Sequence, residues 1–170
     1  MGDIRSPSRR ALLFGRLRAE RLPIPLRPPW AKSEPEFLAA CTHCDACVRA
    51  CPEQVLVRGA DGLPRFEAHA GECKFCGDCV AACDSGAFEP ARDPPWTLVA
   101  QVAATCLSAQ GVVCASCRDV CPPSAIHVAP GARGAATVDL ESCTGCGACV
   151  APCPVDAITL QHAPAMEAVA

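Results

Sequence analysis

The spacing of its cysteines constrains this chain more than any other feature. Four runs recur: CTHCDACVRAC at 41–51, CKFCGDCVAAC at 73–83, a stretched set at Cys106, Cys114, Cys117 and Cys121, and CTGCGACVAPC at 143–153. Together they use all sixteen cysteines of a 170-residue chain. The last thiols of the runs, Cys51, Cys83, Cys121 and Cys153, are 32, 38 and 32 residues apart. An apolar residue follows each by five positions: Leu56, Phe88, Ile126 and Ile158. Equal outer intervals mark two similar units, one holding runs one and two, the other runs three and four.

Thiols at this density could pair with each other, hold zinc, or hold iron–sulfur clusters. Disulfides call for an oxidising compartment. Ser8-Arg9-Arg10-Ala11-Leu12-Leu13-Phe14 looks like the start of a twin-arginine export signal, but Gly15-Arg16-Leu17-Arg18-Ala19-Glu20-Arg21 interrupts the apolar stretch such a signal needs. No run approaches the length of a membrane helix, and the expectation is a cytoplasmic protein. A four-cysteine zinc site joins two separated knuckles and has no use for three evenly stepped thiols. C-x2-C-x2-C, in contrast, can wrap one face of a 4Fe–4S cubane, and with x3-C-P it is the run of two-cluster bacterial ferredoxins, whose fourth cysteine ligates the other cluster. Proline after that cysteine turns the chain away from the ligand loop. Pro52, Pro122 and Pro154 stand there, whereas Asp84 replaces proline in the second run.

On the ferredoxin pattern, Cys41, Cys44, Cys47 and Cys83 hold one cluster, and Cys73, Cys76, Cys79 and Cys51 a second. Cys143, Cys146, Cys149 and Cys121 hold another, and Cys106, Cys114, Cys117 and Cys153 the last. That last set is the irregular one, because seven residues separate Cys106 from Cys114. A longer loop closes at little extra entropy. The alternative leaves Cys106 a buried free thiol and the site incomplete, so the sequence implies three to four 4Fe–4S clusters.

Five Phe, two Trp and no Tyr are too few large side chains for a substantial apolar core, so the cluster ligands are expected to be structural as well as functional. Val55–Val57 and Pro64–Phe66 read as a hairpin across Gly59-Ala60-Asp61-Gly62, and Ile126–Val128 and Thr137–Asp139 repeat the theme. Ala157–Leu160 reads as a last strand, and Val48–Ala50 and Val150–Pro152 as helical turns. Asp93-Pro94-Pro95-Trp96 opens a linker, with a short apolar helix expected over Leu98–Thr105. The fold expected is α+β: tandem bacterial ferredoxin-like units around 4Fe–4S clusters, at 37–92 and 93–170, behind a basic N-terminal arm at 1–36.

Residues 1–33 carry eight of the fifteen Arg and Lys with only two acids, and the rest of the chain holds seven basic and sixteen acidic residues. A basic arm on an acidic body favours an intramolecular clasp or an acidic partner, and a solvated terminus is the plain alternative. Leu12, Leu13, Phe14 and Leu17 could face one side of a short helix. Without an aromatic platform the basic residues are no nucleic-acid surface. His43, His69, His127 and His162 read as loop or surface residues. No nucleophile–base pairing, phosphate loop or dinucleotide fingerprint points to enzymatic activity.

Ser8-Arg9-Arg10, the Arg27-Pro28-Pro29-Trp30 element, the runs at 41–51, 73–83 and 143–153 and the stretched set at 106–121 together resemble the NapF family. These are ferredoxin-type accessory proteins of periplasmic nitrate reductase systems. The resemblance implies a cytoplasmic protein that contacts the precursor of the catalytic subunit of periplasmic nitrate reductase before export and assists its maturation. A general electron carrier feeding a reductase or quinol-linked complex is the other reading.

Overall fold

A computed structural model describes residues 25–131 and 134–163. Arg9, Arg10 and the apolar positions at 12–17, on which the arm reading rests, lie outside the described residues. Helix α1 spans Glu34–Ala40, α2 Ala46–Ala50, α3 Asp78–Ala81 and α4 Ser116–Asp119. The strands are β1 Leu56–Arg58, β2 Pro64–Phe66, β3 Leu98–Val102, β4 Ile126–His127, β5 Thr137–Val138 and β6 Ile158–His162. They form three antiparallel pairs: β1 with β2, β4 with β5, and β3 with β6. Among the described residues no helix is long and apolar enough to cross a membrane.

Each unit repeats one plan: a ligand run, a hairpin, a second ligand run, and a closing contact between its two ends. In the second unit β3 and β6 make that closure, in register from Leu98 opposite His162 to Val102 opposite Ile158. In the first unit a single antiparallel bridge between Ala31 and Phe88 takes the same place. The apolar residue five positions after each final cysteine is buried in all four repeats, at Leu56, Phe88, Ile126 and Ile158. That recurrence sets the core, and Cys47, Cys79, Cys117 and Cys149 are buried within it.

Both hairpins and the last strand fall where the sequence places them. The expected helix over Leu98–Thr105 is instead strand β3. β-branched Val99 and Val102 suit a strand, and the partner that makes it one, β6, lies about sixty residues on, beyond the reach of local pattern. Val150–Pro152 forms hydrogen-bonded turns without becoming a helix. Helix α1 is additional; Ser33 and Glu36, hydrogen bonded to each other at its start, form the Ser-x-x-Glu signature of a helix N-terminus. It delivers Phe37, which is fully buried edge-on against Phe88 at 5.8 Å.

Residues 25–36, counted with the arm on sequence, pack against the first unit. Arg27 donates two bonds to the Glu34 carboxylate, at 2.7 and 3.0 Å, one to Asp61 at 3.2 Å, and one to the Pro64 carbonyl at 3.1 Å. Its guanidinium also lies over the Phe37 ring at 5.5 Å. Trp30 is buried; its indole N–H donates to the Arg92 carbonyl and its backbone N–H to Pro95 at 2.8 Å.

Candidate iron–sulfur sites

The ligand loops depend on backbone that turns into the left-handed region. In runs one, two and four the residues on either side of the second cysteine have positive φ: His43 and Asp45, Phe75 and Gly77, Gly145 and Gly147. This lets successive thiols point to one side of a short loop. A second repeated device follows each final cysteine. Gln54, Gly86, Ser124 and Asp156, each three residues on, also have positive φ. The turn sends the next amide back onto the sulfur: Ala125 N–H lies 3.3 Å from Cys121 Sγ and Ala157 N–H 3.2 Å from Cys153 Sγ. Phe75 N–H reaches Cys73 Sγ at 3.4 Å and Ala100 N–H reaches Cys143 Sγ at 3.5 Å. Such bonds favour thiolate and tune a cluster bound to it.

The thiols gather across the runs. One cavity is lined by Cys51 with Cys73, Cys76 and Cys79. A second is lined by Cys121 with Cys143, Cys146 and Cys149. A third is lined by Cys153 with Cys106, Cys114 and Cys117, so the long loop brings Cys106 back to the irregular set. In the remaining quartet, Cys41 and Cys83 both act electrostatically on Cys47, and Cys44 acts on Cys83. Leu56, Ile126 and Ile158 line the cavities that their own crossing cysteines enter.

Burial pushes the Cys79 and Cys149 thiols up to about 12, and Cys47 and Cys73 up to about 11, with neighbouring thiols adding to it. Cys117 is raised by burial too. A buried thiolate needs a cation to stabilise it. Exposed Cys44 lies below the ordinary thiol value, chiefly through the Ala46 amide. Cys106, half-buried, lies below the ordinary thiol value: desolvation pushes it up, and the backbone amides of Ala136, Ala109 and Ser108 outweigh that.

These residues fit a 4Fe–4S group. Among the described residues no three Cys, His, Asp or Glu side chains converge tightly enough to hold one metal ion. The thiols ring a cavity instead, as one thiolate per iron requires. The donor set is all sulfur, and apolar side chains complete the walls. His43, His69, His127 and His162 are all exposed. His43 Nδ1 is occupied by the Gly62 carbonyl at 3.1 Å and His162 Nδ1 by Thr97 Oγ1 at 2.9 Å. Asp84 is exposed, and neighbouring Ser85 Oγ lies 3.3 Å from Cys83 Sγ.

The cavity of Cys51, Cys73, Cys76 and Cys79 has a wall that the cysteine pattern alone does not announce: Pro29, Trp30 and Phe75. Phase by phase the aromatic contact continues: Trp30 meets Phe75 at 6.3 Å, Phe75 meets Trp96 at 5.5 Å and Trp96 meets Phe66 at 5.0 Å. The available signal was the Pro-Pro-Trp element itself, repeated as Pro94-Pro95-Trp96 in the linker.

Comparison with known proteins agrees with this chemistry. A 4Fe–4S dicluster domain matches residues 40–87, and a 4Fe–4S binding domain matches residues 136–159. The chain is 43% identical over 157 residues to the ferredoxin-type protein NapF of Escherichia coli K12, covering 91% of this chain and 94% of that one. It is 40% identical over 137 residues to NapF of Haemophilus influenzae, covering 79% and 78%. A methylamine utilization ferredoxin-type protein, MauM of Methylophilus methylotrophus, is 35% identical over 159 residues, covering 82% of this chain and 70% of its own length.

Proposed function

The chain belongs to the NapF family of ferredoxin-type iron–sulfur proteins, and on that premise we propose that it binds the precursor of the periplasmic nitrate reductase catalytic subunit in the cytoplasm and assists its maturation, by electron transfer or by handling the target's iron–sulfur centre. Four quartets hold 4Fe–4S clusters in this reading: Cys41, Cys44, Cys47 and Cys83; Cys51, Cys73, Cys76 and Cys79; Cys121, Cys143, Cys146 and Cys149; Cys106, Cys114, Cys117 and Cys153. When bound, such a cluster accepts and releases one electron at a time. The chain's own residues hold it, shield it with Pro29, Trp30, Ile126 and Ile158, and aim amides at the sulfurs. The units divide at the Pro94-Pro95-Trp96 linker, into 37–92 with its packed leading segment and 93–170. The observation that carries this reading is the crosswise gathering of thiols, in which three cavities are each lined by one cysteine from a partner run and three from another.

Anaerobically purified protein, used as bait in cytoplasm from nitrate-respiring cells, should retain the reductase precursor with its export signal still attached. Capture of redox enzymes without the precursor would favour the second reading, a general electron carrier. Identity to MauM, named for a different metabolic system, is the observation that favours it.

A further inference from the structure

The two units meet at their ligand loops. The backbone N–H of Cys73 donates to the carbonyl of Cys146 at 2.8 Å, joining a residue of the inner first-unit quartet directly to one of a second-unit quartet. Gly147, next to Cys146, shows how close the approach is: a Cβ there would lie 2.8 Å from the Phe66 ring and 3.1 Å from the Ala68 Cβ, both of the first unit. The linker is pinned over the same place: Trp96 donates its indole N–H to the Thr144 carbonyl at 2.9 Å, meets Phe75 edge-on and lies tilted against Phe66.

We propose that the Cys73–Cys146 contact is an electronic junction that makes the two ferredoxin-like units one continuous conduit, with the quartet of Cys41, Cys44, Cys47 and Cys83 at one end and that of Cys106, Cys114, Cys117 and Cys153 at the other. This rests on the ligand assignment above. The path runs from Cys73 Sγ through Cβ, Cα and the amide nitrogen, crosses the hydrogen bond, and continues through the Cys146 carbonyl, Cα and Cβ to Sγ. Electronic coupling decays more slowly through bonds than through space, and a hydrogen bond that closes the only gap is the shortest bridge two chains can make. With clusters bound and the first reduced, Cys73 and Cys146 would pass one electron from the quartet of Cys51, Cys73, Cys76 and Cys79, oxidised by one, to the quartet of Cys121, Cys143, Cys146 and Cys149, reduced by one. No proton moves and no bond breaks. Phe66, Phe75 and Trp96 pack around the junction, and Gly147 is a positioning residue that lets the loops meet.

The test is electron paramagnetic resonance of the full chain, fully reduced under anaerobic conditions, with iron and sulfide counted in every variant. Magnetic interaction should broaden the second-unit signals. Cys76→Ala, which disables the inner first-unit centre, should remove the part of that broadening that comes from across the junction and leave the part the two second-unit centres cause in each other, whereas Cys44→Ala, at the outer centre, should leave both. Gly147→Ala should weaken the interaction across the junction, read per iron bound, by more than a glycine substitution that meets no neighbour. Gly77→Ala is its matched control: φ is +83° against +88°, yet the nearest atom to its Cβ would be 3.7 Å away. Trp96→Phe, which keeps the ring and loses the bond to Thr144, should weaken the interaction if Gly147→Ala does not fold. Second-unit signals unchanged by Cys76→Ala, or equally changed by both glycine substitutions, would overturn the junction. Iron and sulfide short of four per quartet in the unsubstituted chain would instead overturn the ligand assignment.

Discussion

Single residues decide how the ligand loops sit, and Arg27 decides how the segment ahead of them is held. Its guanidinium bonds Glu34, Asp61 and the Pro64 carbonyl at once, tying the leading segment, helix α1 and the first hairpin together. Hydrogen bonds to charged groups contribute about 1.5–3 kcal/mol where they are buried, and partial exposure of both carboxylates brings the sum for Arg27→Ala down to about 1–2 kcal/mol. Released, the segment would no longer hold Pro29 and Trp30 against the cavity of Cys51, Cys73, Cys76 and Cys79. The variant should bleach faster than wild type in moderate guanidinium, followed by visible absorbance under argon. Arg27→Lys should recover only part of the loss, because an ammonium cannot reproduce the planar fork. At this scale the sixteen thiols were legible, since chemistry and spacing announce them. The demands on their neighbours were only half legible. CTGCGAC carries glycine at both positive-φ positions, and Gly145 and Gly147 have no room for a side chain. CTHCDAC has His43 and Asp45 in the same conformations at a cost of about 1–2 kcal/mol per residue, with His43 exposed and Asp45 ion-paired to Arg58.

Among elements, local pairing could be read and distant pairing could not. The β1–β2 and β4–β5 hairpins join neighbours in sequence, and turn residues mark both. β3 pairs with β6, and five residues, four of them apolar, give no local hint of which partner will claim them. Helix α1 was legible in principle from Ser33 and Glu36, but seven residues give little periodicity. Its one buried side chain matters: Phe37→Ala should cost about 3–5 kcal/mol, seen as poor recovery of folded, cluster-bearing protein and as loss of signal from the adjoining quartet that begins at Cys41. Crossed ligation is also an element-scale claim, because the helical turn α2 separates Cys51 from Cys41 and Cys44 and sets it in the cavity of Cys73, Cys76 and Cys79. Cys51→Ser should therefore give the same spectral loss as Cys73→Ser. A match to Cys44→Ser instead would mean that each run ligates its own cluster.

At the scale of the whole molecule, charge is the property left to explain. Residues 1–33 hold eight basic and two acidic residues, while the remainder holds seven basic and sixteen acidic, a difference of −9 before any cluster is counted. Two of the eight, Arg27 and Lys32, lie in the packed leading segment, and Arg27 is spent on internal bonds. Six therefore belong to the stretch at 1–24, against two acids. A segment so unlike the body it precedes can steer encounter with an acidic surface, but exposed charges are screened beyond about 10 Å at roughly 0.1 M salt. Capture of the reductase precursor should weaken as salt rises. Deleting residues 1–24, and no further, should weaken it at low salt while leaving iron content and visible spectrum unchanged, because the cut stops short of Arg27 and the wall it supports. Deletion to residue 30 should behave differently, costing cluster stability as well as binding, since it removes Arg27, Pro29 and Trp30. Equal capture by the full chain and the shorter deletion at every salt concentration would leave recognition to the folded units.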